Sequence, residues 1–167
     1  MAFDAFLKIG SGPDVKGEST DDKHKNEIEI ASFSFGASNP STIGSGTGGT
    51  GGGKVSISSL NVMKKTDKSS AMLFQACCAG DHYGTATLTL RKAGGKAPLE
   101  YLIYTFTEFY VDSIQWSGSA GGGDSTPSES VSFSFASVHV KYVPQKADGT
   151  GDSPMEGGWD VTTNKAK

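Results

Sequence analysis

Two stretches of this chain carry residue types able to do chemistry, and each lacks a part that the chemistry needs. Seven of the ten residues from 44 to 53 are glycine, and Gly48 through Lys54 imitates a phosphate-binding loop. Such a loop needs a Ser or Thr hydroxyl after the lysine to hold magnesium, and a helix N-terminus to receive the phosphate. Here Val55 follows Lys54 and a strand alternation follows Val55, so no nucleotide or other cofactor is expected. Cys77, Cys78 and His82 are near neighbours, but thiols on consecutive helical positions diverge by about a hundred degrees and cannot easily share a metal. No second Cys or His pair completes a set of four ligands. His24 and His139 show no partner, no serine stands in a nucleophile elbow, and no two carboxylates are spaced for acid and base work. Neither catalysis nor metal binding is expected.

The elements that would position these residues are strands. Ser32-Phe33-Ser34-Phe35 recurs as Ser132-Phe133-Ser134-Phe135 a hundred positions later. Successive side chains on a strand point to opposite faces, so each tetrad turns two rings toward a core and two hydroxyls away from it. Solvated strand faces usually recruit Lys, Glu and Thr, so these uncharged faces suit a wall lining a wide wet space, although a sandwich strand with serine outside is the plainer reading of the tetrads alone. Ser34, Ser132 and Ser134 are therefore the candidate contact residues. The hydrophobic phase slips by one residue near Ala31, again between Ile57 and Leu60, and again between Phe135 and Val138, as in strands that bend around a barrel.

One short helix is expected, started by Asp67 accepting from free backbone amides, striped by Met72, Leu73, Ala76 and Cys77, and ended at Gly80. Cys77 and Cys78 read as small buried hydrophobes on it. Residues 14–25, a run of mixed charges after Gly12-Pro13, read as a solvated loop. The glycine-rich stretch, residues 38–54, reads as a long loop. Its Gly44, Gly46, Gly48, Gly49, Gly51, Gly52 and Gly53 let it lie flat against another surface or cross close to another backbone.

At 167 residues the chain fits one domain, residues 1–167, burying about 70% of its unfolded surface. The formal net charge is −3 and charged residues make up 20%, so no field favours nucleic acid or an anionic membrane. No run of about 18 apolar residues is available for membrane insertion. The opening residues have no basic leader, which predicts a protein made in the cytoplasm and, if it leaves the cell, exported by a route without a cleaved signal. Two adjacent cysteines suit a reduced compartment.

Read together, the blocks resemble the haemolysin-coregulated proteins of the bacterial type VI secretion system. The resemblance is carried by Phe6-Leu7-Lys8-Ile9, Val15-Lys16-Gly17-Glu18-Ser19, His24 through Ile28, Phe33 to Gly36, and Gly53-Lys54-Val55. It continues through Asp67-Lys68-Ser69, His82-Tyr83, Arg91-Lys92-Ala93-Gly94-Gly95, Glu100 to Ile103, Glu129 to Phe135, Tyr142 to Gly149 and Gly158-Trp159. Ser11-Gly12-Pro13 stands out as a small insertion, and phenylalanine holds positions 33 and 35 where relatives commonly have tryptophan.

The resemblance implies a mainly β fold, a small β-barrel of two packed sheets flanked by one short α-helix. It implies a non-enzymatic homo-hexamer whose rings stack into a hollow tube, are expelled with the spike from within a sheath, and carry secreted effectors in the lumen. A monomeric carbohydrate-binding or other ligand-binding β-sandwich is the alternative that the strands and aromatics also allow.

Overall fold

The computed structural model describes residues 3–40, 54–92, 97–121, 123 and 125–167. In chain order the elements are β1 (Asp4–Gly10), β2 (Ile28–Glu29), β3 (Ser32–Ser34), β4 (Ala37–Ser38), β5 (Ser56–Ile57), β6 (Leu60–Lys65) and α1 (Ser69–Ala79). They continue with β7 (His82–Lys92), β8 (Leu99–Ser117), β9 (Ser128–Tyr142), β10 (Met155–Asp160) and β11 (Lys165–Ala166). The fold is mainly β with one helix, as the sequence suggests. Nine strands form one sheet in the order β11-β10-β9-β8-β7-β1-β2, with β6 joined to β9 and β3 to β6; β4 and β5 make a small second sheet.

The sheets are thus very unequal, and the described ladders do not join into a closed barrel. The reason lies in residues 28–34. β2 pairs with β1 through Leu7↔Ile28 and Phe6↔Glu29, and Ile30 still donates its N–H to the Ala5 carbonyl at 2.9 Å. One residue on, Ala31 donates to the Met63 carbonyl at 2.8 Å, and β3 runs against β6. The segment changes partner where the hydrophobic phase slips. The second slip is the gap between β5 and β6. The third has no extra residue in its own ladder: β8 and β9 stay in register there and shift only between Val111 and Ser113. Instead, Glu108, between the pairs Thr107↔Ser137 and Phe109↔Phe135, takes a left-handed φ of 49°, and this bends the ladder.

The core is built by alternation. Leu7, Leu60, Val62, Leu88, Phe106, Phe109, Val131 and Phe133 are buried, with Phe109 and Phe133 stacked at 4.5 Å. Phe33 and Phe35 are half-buried against this core, Phe35 lying edge-on to Tyr104, Phe106 and Phe135. Burying one such ring is worth about 1.5–3 kcal/mol.

Helix α1 sits against β8. Asp67 caps its start, accepting from the Ser69 amide at 2.9 Å, while the Ser70 hydroxyl accepts from the Asp67 amide at 2.9 Å. Gly80 ends it at φ 71°, its N–H donating to Ala76. Leu73 and Ala76 are buried, but Cys77 is half-buried and Cys78 exposed. The expected burial of both thiols fails because Cys78 falls beside, and not on, the Leu73–Ala76 stripe.

Residues 14–25 are not a solvated loop throughout. Val15, Ser19 and His24 are buried, and the segment straps the outer side of β1, where His24 stacks on Phe6 at 4.3 Å. Gly17 makes this possible, since a Cβ there would lie 2.3 Å from the Glu27 carbonyl oxygen. Arg91 locks the strap, bridging Asp4 at 3.0 Å and Asp21 at 2.7 Å. These three charges are therefore consumed in holding a loop onto a strand.

Candidate functional site

Cross-strand register brings the serines together. Ser34 of β3 pairs with Asn61 of β6, Asn61 with Ser132 of β9, and Ser132 with Ser113 of β8. The row below runs Ser32, Met63, Ser130 and Gln115. Side chains directly opposite on neighbouring strands share a face, so two complete rows of a four-stranded wall carry hydroxyls, amides and one thioether and no charge. Ser32, Ser34, Asn61, Met63, Ser113 and Gln115 are exposed; Ser130, Ser132 and Ser134 are half-buried.

Ser134 begins the next row, opposite Tyr110, and its hydroxyl donates to Asp112 Oδ1 at 2.7 Å. Ser59 donates to Asp112 Oδ2 at 3.0 Å. The structure therefore brings Ser34, Ser132 and Ser134 onto one surface. Sequence reasoning missed Asn61, Ser113, Asp112 and Ser59. The alternation Leu60-Asn61-Val62-Met63 carried the signal for Asn61; the other three required the register. Gly44, Gly46, Gly48, Gly49, Gly51, Gly52 and Gly53 lie outside the described residues.

Behind the wall the same strands bury charge. The Lys64 ammonium donates to Glu129 Oε2 at 2.9 Å, Asp67 Oδ1 at 2.8 Å, the Ser70 hydroxyl at 3.2 Å and the Lys65 carbonyl at 2.8 Å. Trp116 completes the set by donating its indole N–H to Glu129 Oε1 at 2.6 Å. Burial alone would raise the Glu129 pKa. Hydrogen bonds from Ser70, Lys64 and Thr66, with the Lys64 charge, outweigh burial and hold it below the ordinary carboxylate value. Lys64 and Glu129 are fully buried and fully engaged, so this cluster joins α1 to β6 and β9 and leaves no group for a substrate.

Elsewhere, His24 lies between Glu27, at 2.8 Å from Nδ1, and Glu100, at 3.5 Å from Nε2. No group of three or more potential metal ligands clusters among the described residues, and no described helix is long and apolar enough to cross a membrane. A recess of about 370 Å³ beside β1 is lined by Asp4, Asp21, Glu29 and Arg91, whose guanidinium is already neutralised by two carboxylates.

Comparison with known proteins bears on the whole chain. The family model described as "Type VI secretion system effector, Hcp" matches residues 6–142. Protein hcp1 of Pseudomonas aeruginosa is 46% identical over 165 residues, covering 98% of each chain. A solved structure of a type six secretion system protein superposes with a TM-score of 0.91 at 39% identity, over 99% of this chain and 100% of that one. Hcp1 from Salmonella typhimurium superposes with a TM-score of 0.79 at 39% identity, over the full length of both chains. The match reaches beyond the strands to the strap and the serine wall, and the chain belongs to the Hcp family of type VI secretion system proteins.

Proposed function

We propose that this chain is a non-enzymatic tube subunit, forming hexameric rings that stack into a hollow tube and are expelled into a neighbouring cell with effectors in the lumen. In this reading the nine-stranded sheet rolls into the family's barrel, with residues 28–34 as its seam, and the wall of Ser34, Asn61, Ser132 and Ser113 lines the lumen. The observation that carries it is the uncharged wall itself. A lumen must stay wettable, without a sticky apolar patch or a field that traps cargo, and two cross-strand rows of neutral polar side chains meet that requirement. The glycine-rich loop, residues 44–53, supports contact between rings, and the protein leaves the cytoplasm with the machine's spike and sheath acting as its partners.

Light scattering and negative-stain imaging of the purified protein test the assembly: a sixfold particle with a central hole is expected, and a monomer sinks the proposal. Ser34→Gln tests the lining. The variant should still form rings and should retain less of an effector on co-purification; equal retention removes Ser34 from the cargo surface. Trimming residues 44–52 should weaken stacking while the subunit stays folded, and unchanged stacking would remove the loop from that role.

A further inference from the structure

A fixed anion stands beside the two neutral rows, while the next row of the same face carries Lys65. Asp112 sits at the register shift between Val111 and Ser113, which extrudes it from the β8–β9 ladder onto the exposed face. Its carboxylate is held at both oxygens, Oδ1 by Ser134 and Oδ2 by Ser59, and its carbonyl accepts from the Cys77 thiol at 3.6 Å. Among the described residues no Lys, Arg or His pairs with it, unlike Asp4, Asp14, Asp21, Asp67 and Asp152. Two hydroxyl donors fix the plane of a carboxylate but leave its charge uncompensated and facing outward.

Resting on the reading that this wall faces cargo, we infer that Asp112 is a specificity-determining residue that docks a cationic side chain, Lys or Arg, of a transported protein. Charge complementarity carries the assignment. An oriented carboxylate beside two neutral rows offers a fixed Coulombic landmark that a passing chain can register against, and a guanidinium can meet both oxygens at once. An acidic segment would meet repulsion and no compensating donor charge. Ring symmetry would present the landmark in repeated copies, turning a weak single contact into avidity for a basic segment.

A fluorescein-labelled peptide with three arginines spaced by serine and glycine, and its glutamate counterpart, serve as probes by fluorescence polarisation. The parent should bind the arginine peptide, release it at about 0.5 M salt, and ignore the glutamate peptide. Asp112→Asn should bind about threefold to tenfold more weakly with an unchanged melting temperature, whereas Asp152→Asn, which removes the same charge from the loop after β9, should bind as the parent does. Ser59→Ala with Ser134→Ala keeps the charge but frees the carboxylate, and should give an intermediate loss. Equal binding by Asp112→Asn, or an equal loss in Asp152→Asn, overturns the inference. Light scattering on the same samples separates the two readings: Asp112-dependent binding by a monomer keeps the docking residue and removes the ring, while a ring indifferent to Asp112→Asn does the reverse.

Discussion

Strands β6 and β9 present two faces that handle charge in opposite ways. Inward, they carry Lys64 and Glu129, fully buried and bonded to each other, to Asp67 and to Trp116. Outward, the same strands carry Asn61, Met63, Ser130 and Ser132, with charge only at Lys65, the last residue of β6. Most sheets do the reverse, since water solvates exposed charge at little cost and burial removes that solvation. The buried pair is tolerated because every charged atom has a partner, and it ties the start of α1 to two strands. The outer face gains nothing in stability from lacking charge, so its composition answers to whatever meets it.

The largest break in this comparison is expected from Lys64→Met. Removing the lysine leaves Glu129 buried and uncompensated, which costs about 3–5 kcal/mol and should lower the urea midpoint steeply. A loss under about 1 kcal/mol would show that the inner cluster is incidental. Trp116→Phe keeps the ring but removes the donor to Glu129 Oε1, and should cost about 1–3 kcal/mol.

Acid tests the inner face. Glu129 is held below the ordinary carboxylate value of 4.5, so its contribution is present above that pH and is lost as pH falls through its lower folded value. Stability measured downward from pH 5 should decline in the parent, and Glu129→Gln should flatten that decline. The smallest effect belongs outside. Ser132→Lys should change stability by no more than about 0.5 kcal/mol by urea melt, while placing a charge on the wall that lowers retention of the arginine peptide. A large destabilisation there would mean that the wall is structural after all.

Much of this contrast could be read in the chain. The Ser-Phe alternation places rings inward and hydroxyls outward, and the structure keeps both tetrads on one wall. Lys64 and Glu129 could not be assigned in that way, because a charge in an alternating strand is normally the outward residue and only the register shows the two facing each other. The strap over β1 was hidden for a similar reason: residues 14–25 look solvated by charge, but Arg91, Asp4 and Asp21 cancel across three segments distant in sequence. Register decides these cases, and register depends on pairings that no local pattern encodes.

The handover at Ala31 has a mechanical meaning. Residues 28–34 hold β1 by two paired positions and β6 by three, whereas β8 and β9 run side by side for most of their length. Under load along the strands, the long β8–β9 ladder resists in shear, with many hydrogen bonds strained together. The short segment meets the same load with two brief ladders, whose few hydrogen bonds share it. A subunit pulled in this way would yield there first, splitting between β1 and β6 while the serine rows of β6, β9 and β8 stay joined.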